Sequence, residues 1–116
     1  MAEAGCLFCK IVAGEVPAAL VHEDDQVMAF RDIDPQAPTH VLVIPREHYP
    51  DAGALAAADG DLLVALFRAA AAVAAAEGIA ESGYRLVANS GREAGQTVFH
   101  AHVHVLGGRS LSWPPG

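Results

Sequence analysis

The stretch TVFHAHVHVL at residues 97–106 restricts this chain more than any other. It holds three of the six histidines, at 100, 102 and 104, in strict alternation with apolar residues. An extended chain points successive side chains to opposite sides. His100, His102 and His104 are therefore predicted to share one face of a strand, with Phe99, Ala101, Val103 and Val105 on the other. A helix would scatter the same histidines around its circumference. Each imidazole needs a polar partner if buried. Three uses remain: satisfied core histidines, a metal cluster, or phosphate chemistry in which imidazole serves as nucleophile, acid and donor. An added terminal histidine tag is excluded, because the stretch is internal and apolar residues intervene.

The chain has 116 residues, within the range of one domain with a real core, so 1–116 is read as a single unit. An apolar content of 53% excludes a disordered chain, and a net charge of −7 argues against a nucleic-acid surface. An anionic ligand must therefore be held by local donors. The N-terminus lacks the basic and apolar regions of a secretory signal. The alanine-rich segment 65–76 contains Arg68 and is too short to span a membrane. The expectation is a cytoplasmic protein that binds no membrane, whose two cysteines are not a disulfide.

Residues 6–14 read as a short helix stopped by Gly14, with Phe8, Ile11 and Val12 on its buried side. Segments 20–23 and 27–32 form a hairpin across residues 24–26. Residues 34–38 are a proline-bearing loop, and 40–45 is a third strand. Residues 61–77 are the strongest helix, with Leu62, Leu63, Leu66, Phe67, Ala70 and Val73 on a three-four spacing. Asp59 or Asp61 could cap its start, and Gly78 follows its end. Segment 84–89 is a fourth strand, and the glycine-bearing loop 90–96 feeds the histidine strand. The predicted class is α+β, an antiparallel five-stranded sheet with one long and one short helix.

The HxHxH strand, together with EDD at 23–25, FRDI at 30–33, PQAPTH at 35–40, LVIP at 42–45, GQ at 95–96 and the tail LGGRSLSWPPG at 106–116, resembles the histidine-triad (HIT) superfamily, specifically its Hint branch. The likeness runs from Cys6 almost to the end. It implies the HIT fold, a homodimer, and hydrolysis of adenosine 5′-phosphoramidates or aminoacyl adenylates to AMP and an amine. His102 matches the nucleophile that forms an adenylyl-histidine intermediate, with the carbonyl of His100 fixing its tautomer. His104 matches the donor to the phosphate oxygens, and His40 the fourth histidine of the polar network. Asp32 matches the ribose carboxylate, and Ile33, Phe8 and Ile11 the walls around adenine. Asn89, Gly95, Gln96 and Thr97 match the phosphate-side loop, where Thr97 replaces a common serine and can serve the leaving amine. Trp113 lies in a tail that, in such proteins, approaches the partner's active site.

By spacing alone Cys6-x-x-Cys9 is half a zinc site, or simply two small core residues. The resemblance adds His48 and His100, because several bacterial HIT proteins bind structural zinc with these four positions. No cofactor is required for the chemistry itself. Arg31 is expected on the surface, facing away from the pocket, and His22 exposed without a partner. The competing readings are a Fhit-like dinucleoside polyphosphate hydrolase and a nucleotide- or zinc-binding interaction protein without turnover.

Overall fold

Alternation along the strands divides the protein into two packed layers on either side of one sheet. The computed structural model describes residues 2–116. It contains α1 (Leu7–Val12), β1 (Leu20–Glu23), β2 (Val27–Arg31), β3 (Thr39–Pro45), α2 (Ala52–Ala58), α3 (Gly60–Ala76), β4 (Tyr84–Val87) and β5 (Val103–Gly107), with a 3-10 turn at Arg92–Ala94. The five strands lie in the order β1-β2-β3-β5-β4, and every pairing is antiparallel. This is the α+β architecture expected from the sequence.

The central strand β3 is buried along its whole length, as a strand covered on both faces must be. Val41 and Val43 join Val27, Ala29, Ala101, Val103 and Val105 beneath the apolar face of α3. Leu42 and Ile44 point the other way, joining Met28, Phe30 and the α1 residues Phe8 and Ile11. Asp59 caps α3 by accepting from the Leu62 backbone N–H at 3.1 Å.

Five sequence expectations change. Residues 52–58 form α2, an extra helix in a stretch whose alanines and glycine carry no amphipathic period; Asp51 caps it through the Ala54 N–H at 2.8 Å. The histidine segment is a paired strand only from Val103 onward. Upstream, the chain runs without a ladder partner and is tied down by the Ala101 N–H, which donates to the Tyr49 carbonyl at 2.7 Å. The alternation persists across both halves, so Ala101, Val103 and Val105 still lie under α3. His22 is half-buried and does have a partner, the Asp24 carboxylate at 3.1 Å. The strand predicted over 84–89 ends at Val87. Arg31 is exposed as expected and grips Glu77 through two hydrogen bonds of 2.8 and 3.0 Å, but it also borders the cavity between Phe30 and Asp32 instead of lying away from it.

Candidate active site

Strand register brings the dispersed polar residues together. In the β3–β5 pairing Leu42 lies opposite His104, and on the other side Val87 of β4 also faces His104. A cavity of about 610 Å³ opens over this part of the sheet, a size suited to a nucleotide-like ligand. Leu7, Phe8 and Ile11 of α1, with Phe30 and Leu42, give it apolar walls; Asp32 and Ile33 stand at one side. Asn89, Gly95, Thr97 and Val98 stand at another, with His102 and His104 between. Gly95 has φ +93°, a conformation that favours glycine and lets the loop turn tightly beside the cavity.

The protonation pattern follows from partners that can only donate or only accept. The His100 carbonyl can only accept, and it lies 2.7 Å from His102 Nδ1. That nitrogen therefore carries the proton, and Nε2 of the ring carries a lone pair. A second chain starts at Gln36, whose backbone N–H can only donate and lies 3.0 Å from His40 Nδ1. His40 thus bears its proton on Nε2, which donates to His104 Nδ1 at 2.8 Å. His104 is left with an Nε2–H donor. One wall of the cavity so presents a nucleophilic nitrogen and, on the next inward-facing residue, a hydrogen-bond donor.

Burial favours the neutral form of His102 and His104. It lowers His102 below the ordinary imidazole value, and it takes His104 to about 4, helped by the neighbouring His102 and His40 rings. Phe8 packs edge-on against His102, with ring centroids 5.1 Å apart, and contributes to that desolvation. Asp32 accepts from the Asp34 N–H at 2.8 Å through Oδ1, and its Oδ2 lies 3.4 Å from His40 Nε2.

His100 belongs to a different constellation. Its Nε2–H donates to the Pro45 carbonyl at 2.8 Å, so its lone pair sits on Nδ1. That atom lies 3.4 Å from Cys6 Sγ, 3.5 Å from Cys9 Sγ and 3.2 Å from His48 Nδ1. Cys9 Sγ is 3.4 Å from His48 Nδ1. All four ligand atoms fall within 4.8 Å of one another, a cluster that could hold a metal ion. Backbone N–H groups of Cys9 and Glu3 reach the two sulfurs at 3.3 and 3.4 Å. Burial pushes the Cys6 thiol up, so a thiolate there needs a cation beside it. Asp32, His40 and His104 also lie close enough for an ion. Both His40 nitrogens and His104 Nδ1, however, are already matched donor to acceptor.

The remaining expected site residues are placed as follows. Thr97, Asn89 and Gly95 border the cavity, and Ile33 does so while fully exposed. Gln96 does not border it. Its amide is buried, accepting from the Gly91 N–H at 2.8 Å and donating to the Pro50 and Val98 carbonyls at 2.8 and 3.1 Å. Gln96 therefore shapes the loop from behind. Trp113 is 80% exposed and is not among the cavity residues of its own chain. Its tail is anchored by Arg85, which donates to the Ser112 carbonyl at 2.8 Å. Sequence reasoning passed over Phe30 and Leu42 as cavity residues. Phe30 lies two positions before Asp32, and strand alternation places both on one side. It also passed over the Pro45 carbonyl and the Gln36 N–H; a backbone group carries no sequence signal.

The sequence and the fold are similar to those of known proteins. A HIT-like protein of Synechocystis is 53% identical over 110 residues, covering 95% of this chain and 96% of the relative. The purine nucleoside phosphoramidase of Escherichia coli K12 is 49% identical over 105 residues, covering 90% and 88% of the two chains. The crystal structure of a HIT family hydrolase from Legionella pneumophila superposes with a TM-score of 0.93 at 51% identity, covering 97% of this chain and all of the other. The family model for the HIT domain matches residues 13–111. With most of its length inside that match, the chain belongs to the HIT domain family.

Proposed function

We propose that this protein is a nucleotide hydrolase of the purine nucleoside phosphoramidase type, cleaving the P–N bond of adenosine 5′-phosphoramidates to AMP and a free amine. The observation that carries this reading is the His102 ring, which borders the cavity with its Nδ1–H held by the His100 carbonyl and its Nε2 lone pair available. The E. coli relative of that name supports it.

His102 Nε2 attacks the α-phosphorus. As the N–P bond to histidine forms, the P–N bond to the amine breaks, and the Thr97 hydroxyl assists protonation of the departing nitrogen. Water then attacks the adenylyl-histidine, releasing AMP and restoring the free imidazole. Splitting one displacement into two easier ones is the advantage of a covalent intermediate. His104 donates Nε2–H to the phosphate oxygens as charge builds in each transition state. Asp32 receives the ribose hydroxyls, and the base lies among Phe8, Ile11 and Ile33.

We further read the Cys6, Cys9, His48 and His100 cluster as a structural zinc site. Tetrahedral zinc with bonds of about 2.3 Å to sulfur and 2.0–2.1 Å to nitrogen sets ligand separations of roughly 3.5 Å for S to N and 3.3 Å for N to N. The separations of 3.4, 3.4, 3.5 and 3.2 Å agree with that geometry. Such a closed four-ligand site supplies stability, with no step of the hydrolysis assigned to it. The two free thiols suit a reducing, cytoplasmic setting. No helix among the described residues is long and apolar enough to cross a membrane. A homodimer bringing Trp113 to the partner's cavity completes the reading.

The test is AMP release from an adenosine phosphoramidate by the wild type and by His102→Ala. Rapid release by the first and a loss of several orders of magnitude in the second, with AMP binding retained, supports the assignment. Wild-type turnover in the variant would remove His102 from its role.

A further inference from the structure

His100 joins the two constellations. Its ring faces Cys6, Cys9 and His48, while its backbone carbonyl holds the proton of His102 at 2.7 Å. Phe8 makes the second link. It sits between the two cysteines on α1, and its ring packs on His100 and on His102 with centroids 5.9 and 5.1 Å apart. The same helix supplies Leu7, Phe8 and Ile11 to the cavity. With six residues, α1 is too short to hold itself together, and its position depends on what anchors it. A metal at the cluster ties α1 to the end of β3 through His48 and to the histidine segment through His100.

We infer that the Cys6/Cys9/His48/His100 cluster positions the nucleophile and the nucleotide wall, so that metal and nucleotide bind cooperatively. Cys6, Cys9 and His48 are positioning residues in this scheme, acting through His100 and Phe8. Whichever ligand binds first orders α1 and the His100 carbonyl, and the second then has less ordering to do. Linkage requires the effect to be reciprocal: the factor by which metal tightens nucleotide must equal the factor by which nucleotide tightens metal. The inference rests on the nucleotide and metal readings given above.

The test uses the full chain, stripped of metal by a chelator. Zinc affinity is measured by competition with a chromophoric chelator, with and without saturating AMP. AMP affinity is measured by calorimetry, with and without zinc. Both constants are expected to tighten by the same factor, about fivefold or more. His48→Ala, a residue outside the nucleotide cavity, is expected to lose zinc affinity and to bind AMP at the metal-free level whether or not zinc is added. A purely structural metal would raise the melting temperature without moving the AMP constant. Tight binding of both ligands with no mutual effect would overturn the inference alone. Failure to bind zinc would overturn it through the metal reading, and failure to bind AMP through the nucleotide reading. If His48→Ala does not fold, the wild-type titrations still decide the matter.

Discussion

His40 Nε2 lies 2.8 Å from His104 Nδ1, so the tautomer of a histidine on β5 is set by a residue 64 positions earlier on β3. His40 is set in turn by the Gln36 N–H. The donor facing the cavity is the end of a relay that begins at a backbone amide. His40→Ala removes the relay without touching the cavity wall. The expected result is a fall in kcat of about tenfold with little change in KM, and a larger fall of roughly a hundredfold for His104→Ala, which deletes the donor itself. Steady-state kinetics of both variants checks the order; an unaffected His40→Ala enzyme would show that the relay has no catalytic weight.

Acid should silence the enzyme late. Attack needs unprotonated His102, which burial holds below the ordinary 6.5. Log kcat/KM is expected to stay flat from pH 8 down past 6.5, and to fall only at lower pH with a slope of about one. A midpoint at or above 6.5 would contradict the desolvated site.

The same burial makes stability depend on pH. His104 titrates near 4 in the folded protein against an ordinary 6.5, so between these values the unfolded chain binds more protons. Stability is then fully present above about 6.5 and is lost as pH falls toward 4. The slope from this group is at most about 1.4 kcal/mol per pH unit. Urea unfolding at pH 7 and pH 5 should show the weaker fold at pH 5, and His104→Asn should reduce the difference.

Asp32 offers the cavity a carboxylate already braced by the Asp34 N–H. Asp32→Asn should weaken AMP binding by about tenfold, since a hydrogen bond to a charged group contributes roughly 1.5–3 kcal/mol. With a nucleotide lacking both ribose hydroxyls, wild type and variant should bind alike. Calorimetry with the two ligands separates the ribose contact from a general loss of folding.

Leu66 is fully buried in the layer between α3 and the sheet, away from the cavity. Leu66→Ala should cost about 2–5 kcal/mol, seen as a lower urea midpoint with an unchanged slope. Activity per folded molecule should survive, which would separate the scaffold layer from the layer that carries the chemistry.

Periodicity was legible from neighbouring residues alone. The alternation at 100, 102 and 104 placed the histidines opposite Ala101, Val103 and Val105, and the spacing from Leu62 to Val73 placed α3, because side-chain direction is fixed by local backbone geometry. Partner identity was not legible in that way. Nothing near His100 says that its ring turns toward cysteines 91 and 94 positions earlier while its carbonyl serves His102. Family resemblance supplied that ligand set; local pattern did not. Gln96 reads as a loop residue beside an anion, yet the fold buries its amide against Pro50 and Val98. Helix α2 escaped notice because alanine suits a helix without marking a buried face. Local periodicity determines which way a residue points. Sheet register and loop closure, set by contacts dozens of residues apart, decide what it meets there.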